Sequence, residues 1–189
     1  AAYFELMQDA MLQARQRIFL IGWDFDTRVR LGPGRKFYNL PDKDVQPARL
    51  GPFVIWLVKR TRGLQVRVLK WNFGALKFIF RGSMILDLIR WWLNPAIDFK
   101  FDSAHPLGCS HHQKIIVIDD RFAVCGGIDM TSDRWDTPEH LEQDPRRRRQ
   151  VPLRRDDSRV EAQLLGAAIA LGLETLDDRL ERRVDLFLP

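Results

Sequence analysis

The strongest constraint on the fold is a regular alternation of helix-type and strand-type patterns in the first two thirds of the chain. Apolar residues recur at helical spacing in three stretches, at residues 3–16, 48–61 and 83–93. Each stretch is followed by a strand pattern, at residues 17–25, 64–71 and 96–101. Two further strands joined by a tight turn follow, at residues 114–119 and 122–127. This order predicts an α/β sandwich with a mixed β-sheet flanked by helices on both faces.

The character of the chain changes near residue 145. Residues 145–158 carry many arginines and two prolines, which predicts a basic, exposed linker. Residues 159–189 contain two helix-like stretches and predict a short helical C-terminal tail. The main domain is then residues 1–144, and residues 27–50, rich in glycine and proline, are predicted to form a long loop inside it.

Composition narrows the class of protein. The chain has 189 residues, 46% of them hydrophobic, which is enough to build a core. Its formal net charge of +5 favours an anionic partner such as a phosphodiester, nucleic acid or an anionic membrane surface. Cys109 and Cys125 lie in no disulfide-type or zinc-type spacing.

Location is predicted from what the sequence lacks. No run of about 18 apolar residues is present, and neither is a signal-peptide pattern. We therefore expect a cytoplasmic protein, or one that contacts a membrane peripherally. The chain starts with Ala1 rather than methionine, which predicts that it begins inside a longer protein.

The segment HHQKIIVIDDRFAVCGGIDM, residues 111–130, carries the chemistry. Side chains two apart on a strand point to the same face, so His112 and Lys114 should project side by side. A neutral imidazole can attack phosphorus, and an ammonium beside it can hold the phosphate oxygens, so no metal or other cofactor is needed. Gly126 and Gly127 leave room for a ligand next to the backbone, and Asp129 can face the same pocket.

This segment resembles the HxKxxxxD signature of the phospholipase D superfamily, with His112, Lys114 and Asp119 in the three named positions. The continuation GGIDMTSDRWDT is similar to the segment after the first motif of eukaryotic-type phospholipases D, and LIGWDFDTR also fits the first half of such two-motif proteins. The resemblance covers residues 3–137 and identifies residues 1–144 as a catalytic half-domain.

The resemblance implies a metal-independent phosphodiesterase that works through a phosphohistidine intermediate. It assigns His112, Lys114 and Asp119 to catalysis, with Asp119 orienting or ion-pairing within the motif. It also implies that Lys114, Gly127 and Asp129 bind phosphate. His112 is preferred to His111, which is one residue off the spacing and should point to the other face. The favoured reaction is hydrolysis of glycerophospholipids or transfer of their phosphatidyl group.

The chain departs from the family pattern because only Lys114 has a histidine two residues before it. The mechanism needs a second histidine, so the chain is expected to be half of a longer two-motif protein, a homodimer with one site on a twofold axis, or an inactive half. Two alternative functions stay open: a dimeric nuclease of the same superfamily, for which nucleic acid is the less favoured partner, and a non-catalytic half-domain that binds an anionic ligand. A metal site at residues 111–120 is disfavoured because Lys114 would repel the ion.

Other residues have two interpretations each. Asp24 and Asp26 either reach the mouth of the site or cap a loop. Trp91 and Trp92 are adjacent in a predicted helix, so at least one must lie off the core face, where it would contact lipid or a partner. The arginines of residues 146–155 either grip anionic headgroups or nucleic acid, or form a solvated linker.

Overall fold

The computed structural model describes residues 2–34, 45–71, 84–106, 109–131 and 134–148, all within the unit Ala1–Pro152. The helices are α1 (Ala2–Leu12), α2 (Leu50–Arg60), α3 (Met84–Trp92) and the single turn α4 (Pro145–Arg148). The strands are β1 (Arg17–Gly22), β2 (Gln65–Trp71), β3 (Ile97–Asp102), β4 (Lys114–Ile118) and β5 (Phe122–Cys125). The predicted helical tail, and the predicted linker after α4, lie outside the described residues.

The five strands form one mixed sheet in the order β3-β2-β1-β4-β5. Strand β1 is parallel to β2, and β2 is parallel to β3, whereas β4 is antiparallel to both β1 and β5. The α/β class and the mixed sheet predicted from the alternation are therefore confirmed. In this register Gly22, the last residue of β1, lies between Lys70 of β2 and Lys114 of β4.

One face of the sheet forms the main core. Alternate strand positions, including Ile18, Val66 and Ile116, are buried there. The three longer helices add apolar side chains to the same cluster, among them Phe4, Met7, Met11, Phe53, Val54, Leu57 and Trp91. On the opposite face the strand side chains are half-buried, as at positions 19, 21, 69, 115 and 117.

Helix α3 confirms the prediction made for its two tryptophans. Trp91 is 0% exposed, whereas its neighbour Trp92 is 43% exposed and points away from the core. The buried indole of Trp91 donates a hydrogen bond from Nε1 to the carbonyl oxygen of Gly51 at 3.0 Å. That contact satisfies the only polar atom of the side chain and fixes α3 against α2.

The segment after β1 supplies partners for the first amides of α2. Arg49 makes no side-chain cap at this end. Instead, the amide of Leu50 donates to the carbonyl oxygen of Val29, and that of Gly51 donates to the carbonyl oxygen of Thr27. Backbone groups that a helix leaves open at its first turn are thus satisfied by the predicted loop. The loop is thereby held at the edge of the sheet where β1 ends.

The hairpin between β4 and β5 has the tight turn that the sequence predicts. Asp119 and Asp120 adopt φ values of 53° and 55°, and the amide of Arg121 donates to the carbonyl oxygen of Ile118 at 3.1 Å. Consecutive residues with positive φ are typical of tight hairpin turns, and aspartate tolerates that conformation better than most residues. Among the described residues, no helix is long and apolar enough to cross a membrane.

Candidate active site

His112 and Lys114 meet at the end of β1. Lys114 is the first residue of β4 and is buried, at 7% exposure, whereas His112 lies in the extended segment just before the strand and is exposed. The ammonium Nζ of Lys114 lies 3.1 Å from Nε2 of His112. A lysine ammonium only donates hydrogen bonds, so His112 Nε2 must accept this one and its proton is on Nδ1. The imidazole is therefore neutral, with a lone pair at Nε2.

Asp129 lies on the other side of the same ammonium. Its Oδ2 is 3.3 Å from Lys114 Nζ, and both side chains are almost fully buried. Its Oδ1 accepts a hydrogen bond from the backbone amide of Asp24 at 3.2 Å. The segment after β1 runs beside that of Asp129, with a bridge between Phe25 and Met130. The structure thus brings three of the predicted site residues together around one buried positive charge.

Gly126 and Gly127 follow β5, and Gly126 lies beside Lys114. The amide of Gly126 donates to the carbonyl oxygen of Lys114 at 3.1 Å. No atom lies within 4 Å of the position that a β-carbon would take at Gly126 or Gly127. The open space predicted at these two glycines is therefore present among the described residues.

A second ion pair, between Lys70 and Asp24, lies on the other side of Gly22 from the Lys114–Asp129 pair. Only part of this pair was predicted from the sequence. Lys70 is 3% exposed, and its Nζ contacts Asp24 Oδ1 and lies 3.5 Å from the carbonyl oxygen of Phe25. The sequence raised Asp24 as a candidate but not Lys70. The available signal was the alternation of QVRVLKW, which places Lys70 in the same phase as two buried valines. A charged residue in the buried phase of a strand needs a partner.

Two stacked tryptophans, Trp23 and Trp71, lie beside His112. The Trp23 ring meets the His112 ring edge-on, with centroids 5.3 Å apart, and stacks on Trp71 at 5.3 Å. Lys114 Nζ lies 5.8 Å from the centroid of the Trp23 ring. The His112 ring is therefore contacted both by Trp23 and by Lys114.

Two further histidines, His105 and His111, lie near Trp71. Trp71 Nε1 donates to His105 Nε2 at 2.9 Å, and His105 Nδ1 lies 3.2 Å from the carbonyl oxygen of Pro106. Because Nε2 accepts, Nδ1 must donate, and His105 is held as a neutral imidazole. His111 instead pairs through Nδ1 with Asp102 Oδ2 at 2.5 Å, at the end of β3.

Asp119 is not part of this group. It follows the far end of β4, and its carboxylate accepts the backbone amides of Arg15, Gln16 and Arg17 at 2.8, 2.7 and 2.9 Å. Desolvation raises the pKa of Asp119, but these three hydrogen bonds and the charge of Arg121 outweigh it and lower the pKa below its usual range. The aspartate of the predicted motif therefore anchors the chain before β1, at the opposite end of the sheet from His112.

Asp129 also acts electrostatically on Tyr3 of helix α1. Burial, and then the negative charge of Asp129, raise the pKa of Tyr3 above its ordinary value. The phenol of Tyr3 therefore stays protonated at neutral pH. No local sequence pattern pointed to Tyr3, because its proximity to Asp129 depends on how α1 packs.

The amino-acid sequence of the chain is similar to those of several known proteins, although no protein-family model matches it. It is 26% identical over 137 residues to phospholipase D B of Dictyostelium discoideum, which covers 72% of this chain and 11% of that protein. Phospholipase D C of the same organism is 23% identical over 76% of the chain and 8% of its own length. Human phospholipase D1 is 27% identical over 73% of the chain and 12% of its own length.

These matches and the confirmed fold agree with the resemblance seen in residues 3–137. The chain spans about a tenth of the length of the curated relatives that it matches. A match of 137 residues in a chain of 189 must include the segment that carries His112 and Lys114. Several curated phospholipases D are thus similar to this chain over about three quarters of its length, which supports its resemblance to the phospholipase D superfamily.

Proposed function

We propose that the chain carries one half of a phospholipase D-type active site that cleaves or transfers phosphodiesters without a metal. The observation that carries this proposal is the Lys114 ammonium, with His112 Nε2 at 3.1 Å and Asp129 Oδ2 at 3.3 Å. An ammonium has three N–H donors. Two are directed at His112 and Asp129, and the third is left for a phosphate oxygen.

In the proposed reaction His112 is the nucleophile. When substrate binds, the Lys114 ammonium turns from His112 Nε2 to a phosphate oxygen, which frees the Nε2 lone pair. That lone pair forms a bond to phosphorus while the bond from phosphorus to the leaving alcohol breaks, and a second histidine protonates the alcohol oxygen. That histidine then takes a proton from water or an acceptor alcohol, whose oxygen bonds to phosphorus as the nitrogen–phosphorus bond breaks. Lys114 stabilises the charge on the phosphoryl oxygens, and Gly127 and Asp129 line the same pocket.

We propose that the second histidine comes from outside this half-domain. Neither neighbouring histidine suits the role: His105 is held neutral by two hydrogen bonds, and His111 is turned to Asp102. The two sources are a further part of a longer protein and His112 of a second copy. We favour the longer protein, because the relatives of this chain are much longer than it is.

The proposed substrate is a glycerophospholipid, and the proposed role of Asp119 is structural. The relatives are named phospholipases D, and the GGID…RWD continuation resembles lipid-acting members. For Asp119, the three backbone hydrogen bonds occupy the carboxylate at the far end of β4. It would support the fold that carries His112 without touching substrate.

The test is transfer of the phosphatidyl group from phosphatidylcholine to ethanol in the presence of a chelator. Wild type is compared with His112→Ala and, as a matched control, His111→Ala. A labelled substrate and an alkaline quench trap the phosphohistidine, so the first step can be seen without turnover. We expect label on wild type and His111→Ala and none on His112→Ala. Label that persists in His112→Ala would refute the assignment of the nucleophile.

Mixing subunits identifies the source of the second histidine. If two copies share one site, an equal mixture of wild type and His112→Ala keeps about a quarter of the wild-type sites, because both subunits of an active pair must be wild type. A proportional fall to about half would exclude a shared site and point to a self-sufficient chain. Labelling without turnover would show that the second histidine lies in a part of a longer protein. Lipid binding with neither labelling nor turnover would select the non-catalytic half-domain.

A further inference from the structure

A cleft of about 430 Å³ opens at the end of the sheet opposite His112. Among the described residues that line it none is acidic, and four are arginines: Arg15, Arg17, Arg62 and Arg67. Arg17 is the first residue of β1, whereas Gly22 at the other end of that strand pairs with Lys114. Five strand intervals, about 16 Å, therefore separate the cleft from the proposed catalytic centre.

The walls of the cleft are fixed by backbone hydrogen bonds. Asp119 accepts the amides of Arg15, Gln16 and Arg17, which holds the wall before β1 in one conformation. The amide of Gln65 donates to the carbonyl oxygen of Gln16 at 2.9 Å and ties that wall to the start of β2. At the turn before β2, Gly63 has a φ of 83°, and no atom of the described residues lies within 4 Å of a β-carbon position there.

The positive charge of the cleft is partly offset, because the carboxylate of Asp119 lies against residues 15–17 and Asp120 pairs with Arg17. Within the described part of the chain, Arg15 and Arg62 have no ion-pair partner. Arg17 pairs with Asp120 at 3.4 Å, but both side chains are about half exposed, and such pairs contribute little. The guanidinium of Arg67 lies 5.7 Å from the centroid of the Phe19 ring. Positive charge concentrated in a preformed cleft raises the local concentration of anions.

We infer that this cleft is a second anion-binding site, and that its ligand is a phosphomonoester group. A monoester carries close to two negative charges at neutral pH and presents three acceptor oxygens, which match the paired N–H donors of guanidinium groups. The volume suits one headgroup or a small organic phosphate rather than an extended polymer. The same chemistry is offered by the phosphate of a membrane lipid and by a soluble metabolite. The inference does not depend on the reaction proposed for His112.

Titration calorimetry with glycerol 3-phosphate tests the site on the 189-residue chain. Arg62→Gln and Arg15→Gln remove one charge each from the cleft, and Arg134→Gln removes one from an exposed position after β5. We expect the two cleft variants to weaken binding about tenfold, because each removes charge-assisted hydrogen bonds. The control should change the affinity less than about twofold, as expected of a distant surface charge. Far-ultraviolet circular dichroism checks that each variant is folded.

Two further measurements sharpen the result. Arg62→Lys keeps the charge but loses the planar fork, so its affinity should fall between those of wild type and Arg62→Gln. Vesicles of phosphatidylcholine containing phosphatidate are compared with vesicles containing phosphatidylglycerol, an anionic diester. Recruitment by phosphatidate that depends on Arg62 identifies a lipid ligand, whereas binding of glycerol 3-phosphate alone identifies a soluble one. Absence of saturable binding to either probe, or an equal loss in Arg134→Gln, would overturn the inference.

Discussion

The buried ion pair between Lys114 and Asp129 gives the sharpest stability prediction. Their side chains are 5% and 2% exposed, and the charged atoms lie 3.3 Å apart. Asp129→Ala leaves the ammonium buried with only the neutral His112 as a described contact at hydrogen-bond distance. A charge left without its partner in a protein interior costs about 3–5 kcal/mol. We therefore expect Asp129→Ala to lower the free energy of unfolding by about 3 kcal/mol, which corresponds to a fall in Tm of about 6–12 °C for a chain of this size.

Removal of both charges should cost less than removal of one. In Lys114→Met/Asp129→Leu neither charge of this pair is left in the interior, and apolar replacements of buried pairs are often close to neutral. The backbone amide of Asp24 loses its acceptor in this variant, which adds about 1 kcal/mol. The double variant should therefore be more stable than either single variant, although it lacks the two charged side chains that we propose line the phosphate pocket.

Arg17 and Asp120 provide the matched control. Their charged atoms are 3.4 Å apart, almost the same distance, but the side chains are 48% and 58% exposed. Urea unfolding of the four members of each double-mutant cycle gives the two coupling energies. We expect about 3 kcal/mol for the buried pair and below about 1 kcal/mol for the exposed pair. Equal coupling energies would show that burial does not set the strength of the Lys114–Asp129 pair.

Three further predictions concern the frame of the site. Asp119→Asn should lower the free energy of unfolding at neutral pH. Because folding lowers the pKa of Asp119, the difference in unfolding free energy between wild type and variant should be lost as pH falls below the ordinary value of 3.8. A difference that stays constant in urea unfolding down to acid pH would contradict the role of the ionised carboxylate. Trp91→Ala should cost about 3–5 kcal/mol in chemical unfolding, whereas Trp92→Ala should stay within about 0.5 kcal/mol, and similar costs would mean that α3 does not pack as described. Gly22→Ala places a β-carbon 2.8 Å from the Phe25 ring and should cost about 1–3 kcal/mol in thermal unfolding, whereas Gly126→Ala, with open space around it, serves as the tolerated comparison.

Much of the fold could be predicted because its elements have clear local patterns. The apolar run KIIVI predicts a strand, and the positive φ of Asp119 and Asp120 fits the tight turn over residues 119–121 that was expected after it. The pairing of His112 with Lys114 also followed from the two-residue period of extended chain. Boundaries shifted by a few residues, as at α1, which ends at Leu12 rather than at residue 16.

The remaining parts of the site depend on contacts between distant segments. Asp119 belongs to the same sequence motif as Lys114 but follows it by five residues. Five residues of extended chain span about 16 Å, so one strand cannot bring both side chains to the same phosphate. Its partners, the amides of Arg15 to Arg17, lie more than a hundred positions away. Lys70 was missed for a similar reason, because its partner Asp24 lies on another segment.

One residue without a side chain explains how two lysines are accommodated in this sheet. Gly22 lies between Lys70 and Lys114 in adjacent strands. The space that its side chain would occupy is filled by the Phe25 ring, and Asp129 Oδ1 lies 3.5 Å from the β-carbon position. The segment after β1 can therefore fold back over Gly22 and the two lysines. The Asp24 carboxylate contacts Lys70, and the Asp24 amide donates a hydrogen bond to Asp129, which pairs with Lys114. A side chain at position 22 would disturb both pairs together, so the geometry around His112 depends on a residue that takes no part in the proposed chemistry.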